Sequence, residues 1–211
     1  MGDRKRVIAL GFFDGIHMGH AALLERTVQR AREIGATPSV LSFDIHPDTL
    51  VFGKEVPLIN SAAGRADLIR RLFGIENVIF IHFDRRVMQM PWQEFVQTLV
   101  QEMDAAWVVV GHDFRFGWKG EGTAQRLNEY CAENGLGCDI IPAVTLEGRI
   151  VSSTYIRELI RAKEEGYHAL LAFVIQMDGV TEVRANVATH PAFGEALDDA
   201  RKAGVEVLFL R

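Results

Sequence analysis

Cysteine is scarce in this chain. Cys131 and Cys138 are the only two in 211 residues, which excludes a disulfide-stapled secreted scaffold and the paired CxxC spacing of a zinc ribbon. Both are expected to be reduced thiols packed near a helix-to-strand junction. A basic excess is also missing: 23 Lys and Arg stand against 28 Asp and Glu, a formal charge of −5. No broad positive field therefore draws the protein to nucleic acid or anionic lipid, and any anion recognition must be local. No apolar run approaches the roughly 18 residues that a transmembrane helix requires, and MGDRKR leads into no signal-peptide core with a small-residue cleavage site. A cytoplasmic protein with neither a membrane nor a nucleic-acid partner is expected. What the chain has is apolar mass. Its hydrophobic content of 48% is enough for one sizeable core, so one main domain is expected, with some length beyond it.

Apolar runs of strand length alternate with longer stretches of helical period. VIAL (7–10), PSVLSF (38–43), NVIFIHF (77–83), WVVV (107–110) and CDIIPAV (138–144) read as strands. Between them, HAALLERTVQRAREIG (20–35) places Leu24, Val28 and Ala31 on one face, with Gly35 as its stop. GRADLIRRLFG (64–74) is a shorter helix. PWQEFVQTLVQEM (91–103) aligns Phe95, Leu99 and Met103 behind a Pro91 suited to a first helical position, and TAQRLNEYCAENG (123–135) completes the set. Near-continuous apolar strands separated by helices predict an α/β fold, a Rossmann-like doubly wound parallel sheet covered on both faces. Ligands of such sheets bind beyond the carboxyl ends of the strands, and the unusual residues of this chain fall in those loops.

GFFDGIHMGH (11–20) joins the first strand to the first helix. Gly11 and Gly15 permit a tight turn, Gly19 lets a ligand approach the chain, and a helix start near His20 offers unsatisfied N–H groups with a partial positive charge. His17 and His20 can both donate to a phosphoryl group, with bonds that strengthen as charge develops on it. Taken alone, an HxxH pair also suits a metal, but the only candidate third ligand nearby is Asp14, inside the turn. FDIHP (43–47) puts His46 and Pro47 at the same sheet edge. VVVGHDFRFGWKGEG (108–122) mixes Gly111, Gly117, Gly120 and Gly122 with Asp113, Phe114, Arg115, Phe116 and Trp118. Aromatic rings there can stack on a planar heterocycle and Asp113 can accept from a ribose or base, although at least one of Phe114 and Phe116 is expected in the core. In IVSSTYIRELI (150–160), Ser152, Ser153 and Thr154 are helix-capping residues with Arg157 one turn on. Hydroxyls and a guanidinium at a helix start also suit a polyphosphate.

Together these loops resemble the bacterial FAD synthetases, the FMN adenylyltransferase module of bifunctional riboflavin kinase and FAD synthetase, within the HxGH nucleotidyltransferase superfamily. The resemblance runs from residue 6 to 160 and rests on ALGFFDGIHMGH, FDIHP, MPWQEFV, VVGHDFRFG with Gly122, and VSSTYIR. It implies FMN and ATP as substrates, FAD and pyrophosphate as products, and Mg2+ accompanying ATP, with no metal held by a dedicated set of side chains. By the same resemblance, His17 and His20 are catalytic. Gly11, Phe12, Phe13, Asp14, Gly19, Gly111, Asp113, Ser152, Ser153, Thr154 and Arg157 bind ATP, while His46, Pro47, Phe114, Arg115 and Phe116 bind the flavin.

Two positions depart from the family pattern. Ile45 stands where proline usually precedes the HP pair, and Arg65 where the following helix often has lysine, which keeps the charge but changes its reach. The resemblance implies a boundary near residue 162, and the 49 residues after it are too few for a riboflavin kinase barrel, which is expected to be absent. That tail reads as a strand (168–176), a helix (190–203) and a strand (205–210), and weakly resembles the end of the sugar fermentation stimulation protein family. It is expected to extend the sheet or join copies of the chain into a homo-oligomer. Two other functions fit the motifs: nucleotidyl transfer to a different phosphorylated acceptor, and flavin-nucleotide binding without turnover.

Overall fold

The computed structural model describes residues 5–146, 148–162, 182–185 and 206–209. The chain forms two compact units, Met1–Ile150 and Val151–Arg211. In the first, β1 (Arg6–Leu10), α1 (Met18–Ile34), β2 (Thr37–Phe43), α2 (Pro47–Phe52), α3 (Ala62–Phe73) and β3 (Asn77–Ile81) come first. They are followed by α4 (Arg85–Gln89), α5 (Trp92–Gln101), β4 (Ala105–Gly111), the two-residue strands β5 (Arg115–Phe116) and β6 (Gly122–Thr123), α6 (Ala124–Glu133) and β7 (Gly137–Ile141). A small hairpin, β8 (Thr145–Leu146) with β9 (Arg149–Ile150), ends this unit.

Five strands form one sheet in the order β3-β2-β1-β4-β7, and all four pairings are parallel. The expected doubly wound sheet is therefore present. The strand order reverses between β1 and β4, which makes the crevice beyond their carboxyl ends the switch point where such sheets take ligands. Alternation along β1 supplies both halves of the core. Val7 and Ala9 face Leu24, Ala31 and Ile69 from α1 and α3, while Ile8 and Leu10 face Phe95, Leu99 and Leu127 from α5 and α6.

The helices end where the sequence supplies a stop. Gly35 and Gly74 close α1 and α3 in left-handed conformation, and Ser61 and Thr123 cap the starts of α3 and α6. Pro91 sits one position earlier than expected, at the N-cap of α5. At the far edge, the Asp139 carboxylate ties α1 to β7 through Arg26 Nε and Arg30 Nε, each at 3.0 Å. Partial burial pushes that carboxyl up, but the hydrogen bonds from Arg30 and Arg26 outweigh it and hold it below its ordinary value. Cys131 on α6 and Cys138 on β7 are free thiols. Among the described residues no helix is long and apolar enough to cross a membrane.

In the second unit, α7 (Ser153–Ala162) is followed by β10 (Glu182–Ala185) and β11 (Glu206–Phe209), which pair in parallel. The expected boundary at 162 thus falls at the end of α7, a helix grouped with the second unit. Of the elements expected in the tail, the final strand is present at 206–209. The strand at 168–176 and the helix at 190–203 lie outside the described residues.

Candidate active site

The loop after β1 is the most constrained backbone in the first unit. Phe13 (φ 59°), Gly15 (φ 83°) and Ile16 (φ 40°) all take positive φ. This conformation costs non-glycine residues of the order of 1–3 kcal/mol each and persists only where surroundings enforce it. They do so here. Phe13 and Ile16 are fully buried in the core, and a Cβ at Gly15 would come within 2.9 Å of Ile59. Asp14, 1% exposed, accepts hydrogen bonds from the backbone N–H groups of Ile59 (2.9 Å) and Asn60 (2.9 Å). Asn60 Oδ1 in turn accepts from the Gly15 N–H at 3.0 Å. The structure thus sets the Asp14 carboxylate against the chain just before α3.

Helix α1 begins at Met18, two residues earlier than expected, so His17 is its N-cap and His20 lies in its first turn. His17 Nδ1 accepts the His20 backbone N–H over a long 3.4 Å. Accepting at Nδ1 leaves the proton of a neutral ring on Nε2, a donor turned away from the helix backbone. The rings of His17 and His20 stack with centroids 3.7 Å apart and planes 20° apart, and His20 also packs against Phe13 at 5.3 Å. Two imidazoles therefore stand side by side at a helix start, beyond β1 and next to the switch point. Gly19 lies between them in the same turn.

The second loop meets the first. The Phe12 ring contacts His46 edge to face at 4.6 Å, and Ser42 Oγ donates to the Phe12 carbonyl at 3.0 Å. His46 caps α2, accepting the Asp48 N–H at Nδ1 (3.2 Å), with Pro47 as the first helical residue. Asp44 accepts from the N–H groups of Ile45 and Phe83, and His82 Nδ1 lies 2.7 Å from its other oxygen. Burial pushes the Asp44 carboxyl up. The His82 hydrogen bond, the two N–H groups and the imidazolium charge together outweigh that and leave it below its ordinary value. The hydrogen bond to Asp44, and then its charge, hold the His82 imidazole above its ordinary value. The histidine contribution is full below about 6.5 and fades as pH rises through its raised value, while the carboxylate contribution fades as pH falls through its lowered value. The melting-temperature gap between the chain and His82→Gln should therefore be widest at mildly acid pH and close toward pH 8. A gap independent of pH would refute the pair.

The third loop leaves β4. Gly111 is half-buried and the carboxylate-bearing side chain of Asp113 is 83% exposed. Arg115 is exposed, with Nη1 3.4 Å from the Gly120 carbonyl. Phe116 lies in the core against Phe95 and Trp92, and Phe114 stacks on it at 5.2 Å while keeping part of its own surface open. The core anchor expected among these two aromatics is thus Phe116. Its neighbour Gly117 takes φ 72° against Trp92.

The fourth segment belongs to the second unit. Ser152 Oγ accepts the Tyr155 N–H at 3.1 Å and so caps α7; Ser153 and Thr154 form its first turn, and Arg157 is half-buried on its second. The first three loops share the carboxyl edge of the sheet.

One residue in the site was legible in the sequence only as a departure from the family pattern. Arg65, on α3, is fully buried. Its Nη1 donates to the Phe12 carbonyl and to Ser42 Oγ (2.8 Å), its Nη2 donates to the Phe43 carbonyl (2.9 Å), and its plane lies 4.1 Å from the Phe12 ring.

Residues 1–155 match the family described as FAD synthetase, and residues 152–211 match the family described as sugar fermentation stimulation protein RE domain. The chain is similar to a bifunctional riboflavin kinase/FMN adenylyltransferase of Listeria monocytogenes, at 32% identity over 164 residues, covering 77% of this chain and 52% of the relative. A second Listeria monocytogenes protein, a FAD synthetase, is 27% identical over 162 residues, covering 75% of this chain and 65% of the relative. A crystal structure of a macrolide-efflux protein from Streptococcus pneumoniae superimposes with a TM-score of 0.66 at 30% identity, covering 74% of this chain and 52% of that one. The chain spans about half the length of the bifunctional relatives it matches.

Proposed function

The chain belongs to the FAD synthetase family, and we propose that it transfers the adenylyl group of ATP to FMN, giving FAD and pyrophosphate. One observation carries the reading: stacked imidazoles at the start of α1, at the switch point of a parallel sheet. In the proposed reaction an FMN phosphate oxygen attacks the α-phosphorus of ATP, the bond to the bridging oxygen of the β-phosphate breaks, and pyrophosphate leaves. The attacking oxygen already carries negative charge, so no general base is required. The work falls on positioning and on donors that meet the charge developing on phosphorus. His17 and His20 are proposed as those donors.

Gly11, Phe12, Phe13, Asp14, Gly19, Gly111 and Asp113 are proposed to shape the ATP site, Asp14 and Phe13 by holding the loop. Ser153, Thr154 and Arg157 are proposed to hold the outer phosphates, with Ser152 serving through the cap of α7. His46, Pro47, Phe114 and Arg115 are proposed to line the flavin side, with Phe116 acting as the anchor beneath Phe114. No group of three or more His, Cys, Asp or Glu among the described residues is placed to hold a metal. Mg2+ is proposed, from the family resemblance, as the counter-ion arriving with ATP, and no step is assigned to it. The reaction is proposed for the cytoplasm, without nucleic acid.

The test is to incubate the purified chain with FMN, ATP and Mg2+ and to follow FAD by chromatography and pyrophosphate by a coupled assay; stoichiometric formation of both is expected. Binding of FMN and ATP without FAD would replace this reading with that of a flavin-nucleotide binding protein. Consumption of cytidine triphosphate in place of ATP, or of ATP with another phosphorylated acceptor, would overturn the assigned substrates.

A further inference from the structure

Arg65 occupies an unusual position for an arginine. It is 0% exposed, no carboxylate lies within ion-pair distance of it among the described residues, and all three of its hydrogen-bond acceptors are neutral oxygens. Burial pushes the guanidinium down from its ordinary value, and the more distant charges of Asp14 and Asp44 offset part of that effect. Enclosing a cation on such terms is costly, so its geometry is informative. Two of its bonds go to the loop after β1 and its Ser42 partner, and the third goes to the last residue of β2, from which the His46 loop departs.

Each of these loops has its own local support. His17 caps α1, and His46 caps α2. Arg65, with Ser42, fixes the spacing between the two. Its fork spans the carbonyls of Phe12 and Phe43 while its plane supports the Phe12 ring, which in turn touches His46. The grip is closed through α3 itself. Asp14 accepts the N–H groups of Ile59 and Asn60 immediately before that helix, and one turn into the helix Arg65 returns a bond to Phe12. The first loop is thus held at residue 12 by α3 and at residue 14 by the segment that leads into it.

Building on the function proposed above, we infer that Arg65 is a positioning residue that sets the distance between the nucleotide loop (residues 11–20) and the acceptor loop (residues 43–47), and so the alignment of the attacking oxygen with phosphorus. Misplacement of reacting groups by about 1 Å can cost about 100-fold in rate without a matching loss of binding. A neutral, forkless side chain should therefore lower kcat and leave affinity in place. Lysine keeps the charge but presents its donors from a single nitrogen, so it can serve Phe12 or Phe43 but not both with the fork's geometry.

The experiment compares Arg65→Met, Arg65→Lys and Ser42→Ala in the full chain. Turnover is read as FAD formation, and dissociation constants for FMN and for ATP are measured separately. Arg65→Met should lower kcat about 100-fold, Arg65→Lys should recover about 10-fold of that, and both dissociation constants should stay within about threefold of the parent. If Arg65→Met does not fold, Ser42→Ala, which deletes one hydroxyl, should lower kcat about 10-fold by loosening the same joint. Unchanged kcat in the folded variants, a loss of affinity as large as the loss of kcat, or a lysine variant no better than the methionine one would overturn the assignment. If the parent chain forms no FAD, the functional reading fails by itself, and amide exchange then decides the inference. Loosening the joint should speed exchange in residues 11–16 and 43–47 together and leave residues 111–117 unchanged. Exchange that rises in only one of the two loops, or in neither, would overturn it.

Discussion

Replacing His20 with alanine is expected to lower kcat for FAD formation by about 10²- to 10³-fold, the usual effect of removing one preorganised donor from a developing oxyanion, with a much smaller change in the dissociation constant of ATP. The asymmetry follows from where the ring sits. His20 is in the first turn of α1 and not at its cap, so truncation removes a donor and leaves the helix start intact. Its loss should also free one face of His17, stacked 3.7 Å away, and remove a contact with Phe13, while the Asp14 bonds to Ile59 and Asn60 continue to hold the turn. His17→Ala is a less clean probe. It removes the N-cap as well as a ring, and loss of a cap costs about 1 kcal/mol of stability. Steady-state kinetics and calorimetric titration of ATP on the folded His20 variant distinguish the outcomes. If turnover and ATP affinity fall by the same factor, the imidazole serves ground-state binding and its role in the transition state is refuted.

The largest effect on stability is expected from Gly117→Ala. At φ 72° an alanine is already strained, and its Cβ would come within 2.5 Å of Trp92 Cβ and 2.6 Å of Trp92 Cα. The obstacle is backbone at the start of α5, so no side-chain rotation relieves it. The next residue binds the same region, with the Trp118 N–H donating to the Met90 carbonyl at 2.8 Å, and that bond cannot survive a displacement of the loop. Relief requires the β5–β6 ribbon to lift, which withdraws Phe116 from the core and takes Phe114 with it. A loss of about 3 kcal/mol or more is expected, equivalent to a fall of roughly 6–12 °C in melting temperature for a chain of this size. Gly120→Ala provides the comparison. Its φ is 65°, but the nearest atom to an added Cβ is 3.6 Å away, so it carries the strain without the collision and should cost about 1 kcal/mol. Equal losses in the two variants would mean that the approach to Trp92 does not hold the loop down.

How much of this was legible beforehand depends on the range over which each signal acts. The five sheet strands were readable because burial on both faces leaves runs such as WVVV, and α1, α3, α5 and α6 because their apolar residues recur with helical period. Helices α2 and α4, of six and five residues, are too short to show a period, and no helix is expected at either place from the sequence. The four loops stood out through glycine, histidine and hydroxyl residues, whose local chemistry survives in a linear reading.

Bonds between distant positions did not. The resemblance implies Asp14 as an ATP-binding residue, and nothing in GFFDG shows that Ile59 and Asn60 also present their N–H groups to it. Ser152 was read both as a helix-capping residue and as a phosphate contact, and its hydroxyl does cap α7. Arg65 was visible as a departure from the family pattern, yet its burial depends on carbonyls at 12 and 43. One usable signal existed: Arg65 precedes Ile69 by four residues and so shares the face that enters the core. An arginine on an apolar helix face deserves a search for the oxygens that would satisfy it.

The left-handed residues at 13 and 16 also bear on when disorder is surrendered. They are sealed under core packing as the chain folds, so the entropy of ordering that turn is lost once, during folding. A small molecule arriving at the sheet edge meets a floor already set, and its association draws on no further loss of backbone freedom there.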